Sequence, residues 1–278
     1  MKVIGLILAV MTRSTRTQIR HAFAKTIAEL KLDAYVVYDQ GFIDQDRVAG
    51  VTYIGHQSTA VPRHEALNAL LNYFYDSDAD YAFWLDATST VSHTTVNDLA
   101  TILQFLQPGE INNCDAIFST LGQWVSTERI QYKSSWDYMS NVHLVPIADN
   151  KSYNWMSGLL QKNFYKYYGQ RFLVDVRCAS AKGTPEDVYF ARLLRKLANC
   201  YLAPTLVVSS AHVGDIGVPV LYNVLDQYKH ENIISENYSH VNPNAYRREL
   251  ILTRVSYEKS SLTQYKPRDG TSNKVSLF

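Results

Sequence analysis

Residues 78–91 read DADYAFWLDATSTV. Tyr81, Ala82, Phe83, Trp84 and Leu85 show no alternation of polar and apolar side chains, the pattern of a strand covered on both faces. Asp86 is the first charge after them. The strand therefore delivers a carboxylate to its C-terminal end, where open α/β sheets place ligands. Aspartate also closes turns by bonding nearby backbone, and on this stretch alone both readings stand.

Working outward, strands and helices alternate. Val3 to Met11 is an apolar run of about nine residues that ends in the basic stretch TRSTR, residues 12–16. It has the hydrophobicity of a signal-peptide core, but no small-residue cleavage site follows, and it reads as a buried first strand. Ile19, Phe23, Ile27 and Leu30 then recur at helical spacing. Ala34 to Tyr38 and Gly50 to Ile54 are short β-rich segments, and Arg63 to Tyr75 places Ala66, Leu67, Leu70, Leu71 and Phe74 on one helix face. Beyond Asp86 come a helix over Val96–Phe105, a strand over Ala116–Ser119 and an amphipathic helix over Glu186–Ala198. This alternation predicts a parallel sheet covered by helices on both sides, which the resemblance given below makes a mixed, mostly parallel one. From about Tyr222 the chain turns to Tyr, Asn, Ser and charge, reading as loops around one apolar segment, Leu250 to Val255. The expected organisation is one α/β domain over residues 1–218 and a C-terminal extension, 219–278, packed on it.

The chain has 278 residues, 46% hydrophobic and 19% charged, enough to bury one large core. The net charge is +1, yet residues 1–40 hold six Lys/Arg against three Asp/Glu, and residues 241–278 hold seven against three. Basic ends on an acidic body point to an anionic ligand or partner. Cys114, Cys178 and Cys200 are odd in number and widely spaced, which argues against a disulfide framework or structural zinc and for a reducing compartment. No stretch approaches the ~18 apolar residues of a membrane helix, so the expected setting is cytoplasmic, in a bacterium or an infected host cell, with no membrane partner.

Two further stretches carry chemistry. In KGTPEDVYFARLLRKL, residues 182–197, Gly, Thr and Pro lead into Glu186 and Asp187 at a helix N-terminus. Acidic residues there also simply favour the helix dipole. In SSAHVGDIG, residues 209–217, His212 follows a β-rich run among small residues, as a structural histidine or as a nitrogen ligand partnering the oxygens of Asp86 on a divalent cation.

In this order the three stretches resemble the GT-A nucleotide-sugar glycosyltransferases, over roughly residues 1–218. The resemblance implies a Rossmann-like GT-A fold. It also implies nucleoside binding by the loop after the first strand, here Thr12, Arg13 and Arg16, and an Arg near the nucleotide, here Arg63. LDATST resembles the family's Asp-x-Asp metal motif, with Asp86 on its first Asp and Thr88 where the second usually stands. This departure puts metal dependence in question. NWMSGLL (154–160) resembles the acceptor-side segment, which assigns Trp155 and Gly158. PEDVYFARLLRKL resembles the acidic helix, whose Asp187, with Glu186 as alternate, would be the catalytic base. AHVG resembles the late His that completes the metal site, so Mn²⁺ or Mg²⁺ would be held by Asp86 and His212.

In its Tyr-, Asn- and Asp-rich style the chain also resembles proteins of T-even-like phages, some of which glycosylate hydroxymethylcytosine in DNA. DNA is therefore one expected acceptor, with Arg247 and Arg248 on its phosphates and one base extruded. The same arginines also read as a solvated face. The alternatives are a polysaccharide, protein or small-molecule acceptor; a nucleotidyltransferase, against which a missing Gly-rich loop and lysine count; and a non-catalytic nucleotide-sugar-binding module.

Overall fold

The computed structural model describes residues 1–10, 16–40, 47–55, 61–106, 114–121, 140–147, 157–162, 168–178, 186–210, 224–238 and 248–254. In its first half, β1 (Val3–Val10), α1 (Arg16–Leu30), β2 (Ala34–Gln40), β3 (Val51–Ile54), α2 (Arg63–Asp76) and β4 (Tyr81–Asp86) alternate as the periodicity predicts. Then follow β5 (Ser89–Val91), α3 (His93–Phe105), β6 (Ala116–Leu121), β7 (Asn141–Pro146), β8 (Gly158–Gln161), α4 (Glu186–Leu197), β9 (Cys200–Ser210), α5 (Val224–Asn237) and β10 (Leu250–Thr253).

These form one ten-stranded sheet in the order β10-β7-β9-β6-β8-β4-β1-β2-β3, with β5 on β9. β1, β2, β3 and β4 pair in parallel, as do β6 and β9, while β8 runs antiparallel between β4 and β6. The mixed, mostly parallel sheet flanked by helices is thus the architecture the sequence implies.

The two faces explain why β1 and β4 lack alternation. Ile4, Leu6 and Leu8 of β1 and Ala82 and Trp84 of β4 lie under α2, α4 and α5, against Leu70, Phe74, Phe190 and Ile233. Val3, Ile7 and Ala9 with Tyr81, Phe83 and Leu85 lie under α1 and α3, against Phe23, Leu99 and Ile102. Gly5, opposite Tyr35, leaves room for that ring: a Cβ there would stand 2.6 Å from Tyr35 Cδ1.

The structure departs from the sequence reading in three places. Residues 224–237 form a helix rather than loops, with His230, Ile233 and Ile234 supplying a buried face that a polar composition hides. β7 and β8 were not legible, being short strands whose pairing is antiparallel and long-range. β9 spans Cys200–Ser210, so the β-rich run read just before His212 is only the end of a much longer strand. The three cysteines are free and buried. Among the described residues no helix is long and apolar enough to cross a membrane.

The C-terminal segment joins the sheet. β10 pairs antiparallel with β7, and Arg254 just beyond it donates to Asp98 of α3 through Nε (2.7 Å to Oδ1) and Nη2 (3.1 Å to Oδ2). The Arg254 side chain is 7% exposed and Asp98 is fully buried, so removing the arginine leaves a buried charge uncompensated. Arg254→Ala is expected to cost about 3 kcal/mol or more in urea denaturation, and Arg254→Met with Asp98→Leu to recover most of it. Equal losses in both variants would assign the cost to packing.

Candidate functional site

The strand order 3-2-1-4 places a topological switch point between β1 and β4, at the C-terminal ends of the parallel strands. There Leu8 pairs with Asp86, and the Ala87 N–H donates to the Leu8 carbonyl at 3.0 Å. α1, α2 and α4 all begin at this edge, because α1 and α2 follow strands that end there and α4 runs back to the start of β9. The positive ends of their dipoles lie at that edge, an arrangement suited to phosphate.

Asp86 sits in a tight turn. Its N–H donates to Ser89 Oγ at 3.0 Å, and the N–H and hydroxyl of Thr88 both donate to its Oδ1 at 3.0 Å. The turn leads into β5, whose Ser89 pairs with Ser210 at the end of β9, and Thr95 of α3 straps β9 by donating to the Val207 carbonyl. His212 lies outside the described residues.

On the α2/α4 side, Asp187 in the first turn of α4 is 6% exposed. Burial holds its carboxyl above the ordinary carboxylate value. The Arg63 charge, and the N–H groups of Asp187 itself and Val188, oppose that rise. Among the described residues, its Oδ1 is buried without a hydrogen-bond partner. A carboxylate with raised proton affinity and a vacant oxygen is the chemistry of a general base. Glu186 precedes it, half-buried.

Among the other expected site residues, Gly158 opens β8 opposite Trp84, two residues from Asp86, so it borders the site. Arg63 is exposed on the first turn of α2, with its charge felt at Asp187. Arg16 opens α1 at the same edge, while Thr12, Arg13, Trp155 and Arg247 lie outside the described residues. Arg248 is described and exposed, but the structure does not bring it to the Asp86 edge. It precedes β10, whose start lies toward the opposite end of the sheet, on a strand separated from β4 by β7, β9, β6 and β8. Among the described residues, no group of three or more His, Cys, Asp or Glu is arranged to hold a metal ion.

Two residues at this edge escaped the sequence reading. Asp39, near the end of β2 beside Ala9, is 1% exposed and paired with Arg47 Nη2 at 2.7 Å, and Arg47 stacks over Tyr53. The cue that picked out Asp86 also marks Asp39, the first charge after the apolar run Ala34–Tyr38. His64, beside Arg63, is buried with Nδ1 lacking a partner; a helix-start histidine carries no sequence signal of that kind.

The raised proton affinity of Asp187 has a stability consequence. A carboxyl whose folded-state pKa exceeds its unfolded value contributes stability in acid, and loses it as pH rises through the folded value. Asp187→Asn removes the ionisation. The Tm of the variant minus that of the parent should therefore grow from pH 4 to pH 7 in a differential scanning series, and a flat difference would contradict a destabilised carboxylate at 187.

No protein-family model matches the sequence, and no curated protein sequence does. Solved structures do match. Residues 1–349 of TarS from S. aureus in complex with UDP superpose with a TM-score of 0.55 at 12% identity, covering 88% of this chain and 68% of that one. The same fragment with UDP-GlcNAc gives 0.54 at 12% identity with the same coverage. The chain spans 41% of the longer TarS structure. At this identity the likeness shows the fold, which is of the GT-A type.

Proposed function

We propose that this protein is a glycosyltransferase that moves a sugar from a nucleoside-diphosphate sugar to an acceptor hydroxyl. Two carboxylates support the reading: Asp86 at the strand end of the β1/β4 switch point, and Asp187, buried and with raised proton affinity, in the first turn of α4. The UDP and UDP-GlcNAc complexes of the TarS fragment support a uridine donor.

In this reading the β1 end, with Thr12, Arg13 and Arg16, takes the nucleoside, while Arg63 and the starts of α1 and α2 take the diphosphate. A carboxylate oxygen that faces a ligand edge is a hard donor and fits a divalent cation such as Mn²⁺ or Mg²⁺. Asp86, with His212, would hold it, and it would supply Lewis-acid stabilisation of the departing diphosphate. The acceptor hydroxyl, far too weak an acid to ionise at neutrality, gives its proton to Asp187 Oδ1 as it attacks the anomeric carbon, and Glu186 orients a sugar hydroxyl. Burial of Asp187 strengthens it as a base, and the Arg63 charge opposes part of that rise.

For the acceptor, Trp155 and Gly158 are the proposed contacts. The basic N-terminal 40 residues favour a polyanion, and 5-hydroxymethylcytosine in DNA is the acceptor to test first, with Arg247 and Arg248 on its phosphates. Because Arg248 stands away from the Asp86 edge, it would hold flanking DNA and not the reacting base.

Thermal shift against UDP, GDP, CDP and TDP sugars with Mn²⁺, Mg²⁺ or EDTA tests the donor site. One nucleotide should raise Tm in a metal-dependent way, and Asp86→Ala and His212→Ala should both lose that shift. Asp187→Asn should keep the shift and lower the transfer rate about 10²- to 10⁴-fold. No shift with any donor would sink the enzyme reading and favour a non-catalytic module. Transfer to polysaccharide but not to hydroxymethylated DNA would move the acceptor.

A further inference from the structure

The turn after β4 has threonine where a second carboxylate is usual, and the hydrogen bonds say what the threonine does. Its N–H and its hydroxyl both donate to Oδ1 of Asp86 at 3.0 Å. Thr88 is buried while Asp86 is half-exposed, and the Asp86 N–H is itself fixed on Ser89 Oγ. Among the described residues, both hydrogen bonds reaching the Asp86 carboxylate land on Oδ1. A carboxylate left to itself turns broadly about χ2 and offers either oxygen or both. Two donors on one oxygen hold that torsion and leave Oδ2 for a ligand.

We propose that Thr88 is a positioning residue and not a cation ligand: it fixes Asp86 so that Oδ2 alone meets the ion, making Asp86 a one-oxygen ligand. This rests on the nucleotide-sugar reading above. With a single carboxylate oxygen offered by the turn, the ion depends on the diphosphate for most of its anionic ligands, as small divalent ions do when held by one or two carboxylates and substrate phosphates. Ion and nucleotide then bind as a pair, and the protein alone takes up neither Mn²⁺ nor Mg²⁺ tightly.

The test is Mn²⁺ uptake followed by electron paramagnetic resonance, with and without UDP, for the parent, Thr88→Val and Thr88→Ser, together with UDP affinity in EDTA. The parent should take up Mn²⁺ only when UDP is present. Thr88→Val, which keeps the backbone donor and the shape but loses the hydroxyl, should weaken UDP-dependent uptake about tenfold and leave UDP affinity in EDTA unchanged. Thr88→Ser should restore the parent value. The inference is overturned if Thr88→Val matches the parent, if Thr88→Ser fails to rescue, or if the parent binds Mn²⁺ tightly without UDP. A parent that binds UDP in neither Mn²⁺ nor EDTA instead overturns the nucleotide-sugar reading, and this inference with it.

Discussion

The parallel pairing of β1 with β4, which sets Leu8 opposite Asp86, fixes the position of everything else at the site. Both strands are covered on both faces, so a charge anywhere along Tyr81–Leu85 would be stripped of water without a partner, at a cost of several kcal/mol. The first position where an aspartate is tolerable is the strand end. Register is equally constrained. A slip by one residue would turn Trp84 from the α2/α4 face to the α1/α3 face, and the two clusters, each already filled by rings, cannot exchange a tryptophan for a leucine without voids or clashes. Asp86 therefore inherits its place from the packing of apolar neighbours that never touch a ligand.

The second carboxylate obeys a different logic. Asp187 is buried where ionisation is disfavoured, and among the described residues its Oδ1 has no hydrogen-bond partner. A fold selected for stability alone would put an apolar or amide side chain there. A buried carboxylate whose burial is only partly offset, here by the Arg63 charge and two backbone N–H groups, is a candidate for binding or chemistry. The Arg254–Asp98 pair shows the contrast: equally buried, but with each oxygen of Asp98 met by a guanidinium nitrogen, it ties β10 and α3 together and leaves nothing to react.

Most of the N-terminal half was legible because its elements are local and long. β1, α1, β2, α2 and β4 each announce themselves by an unbroken apolar run or a helical period; Asp86 follows from where the β4 run stops, and Asp187 from where the helical period of α4 begins. β8 was not legible. Its four residues have no period of their own, and only their antiparallel placement between β4 and β6 makes them a strand. α5 failed for the reverse reason: Asp, Gln, Lys and Glu crowd the segment around its buried face until the helical period no longer stands out. Arg248 shows the limit of charge counting. Its sequence neighbourhood is basic, but strand order carries it to the far edge of the sheet, and strand order is set by pairings between distant segments.

At 12% identity to the TarS fragment, what the two chains share is the order of buried strands and the helices that cover them, and such a pattern is met by many sequences. The side chains at the ligand edge are under separate constraint. In this chain the edge uses a threonine to orient Asp86, holds Asp39 closed with Arg47, and leaves Asp187 and His64 with unsatisfied buried atoms. The first two are bonded and held before any ligand arrives; the latter two are incomplete until something supplies a partner. Under the proposed reading, a site divided this way would bind one part of its ligand on a preformed surface and gain further hydrogen bonds only from the part that reaches Asp187, so that binding energy would favour the reacting complex over a partial one.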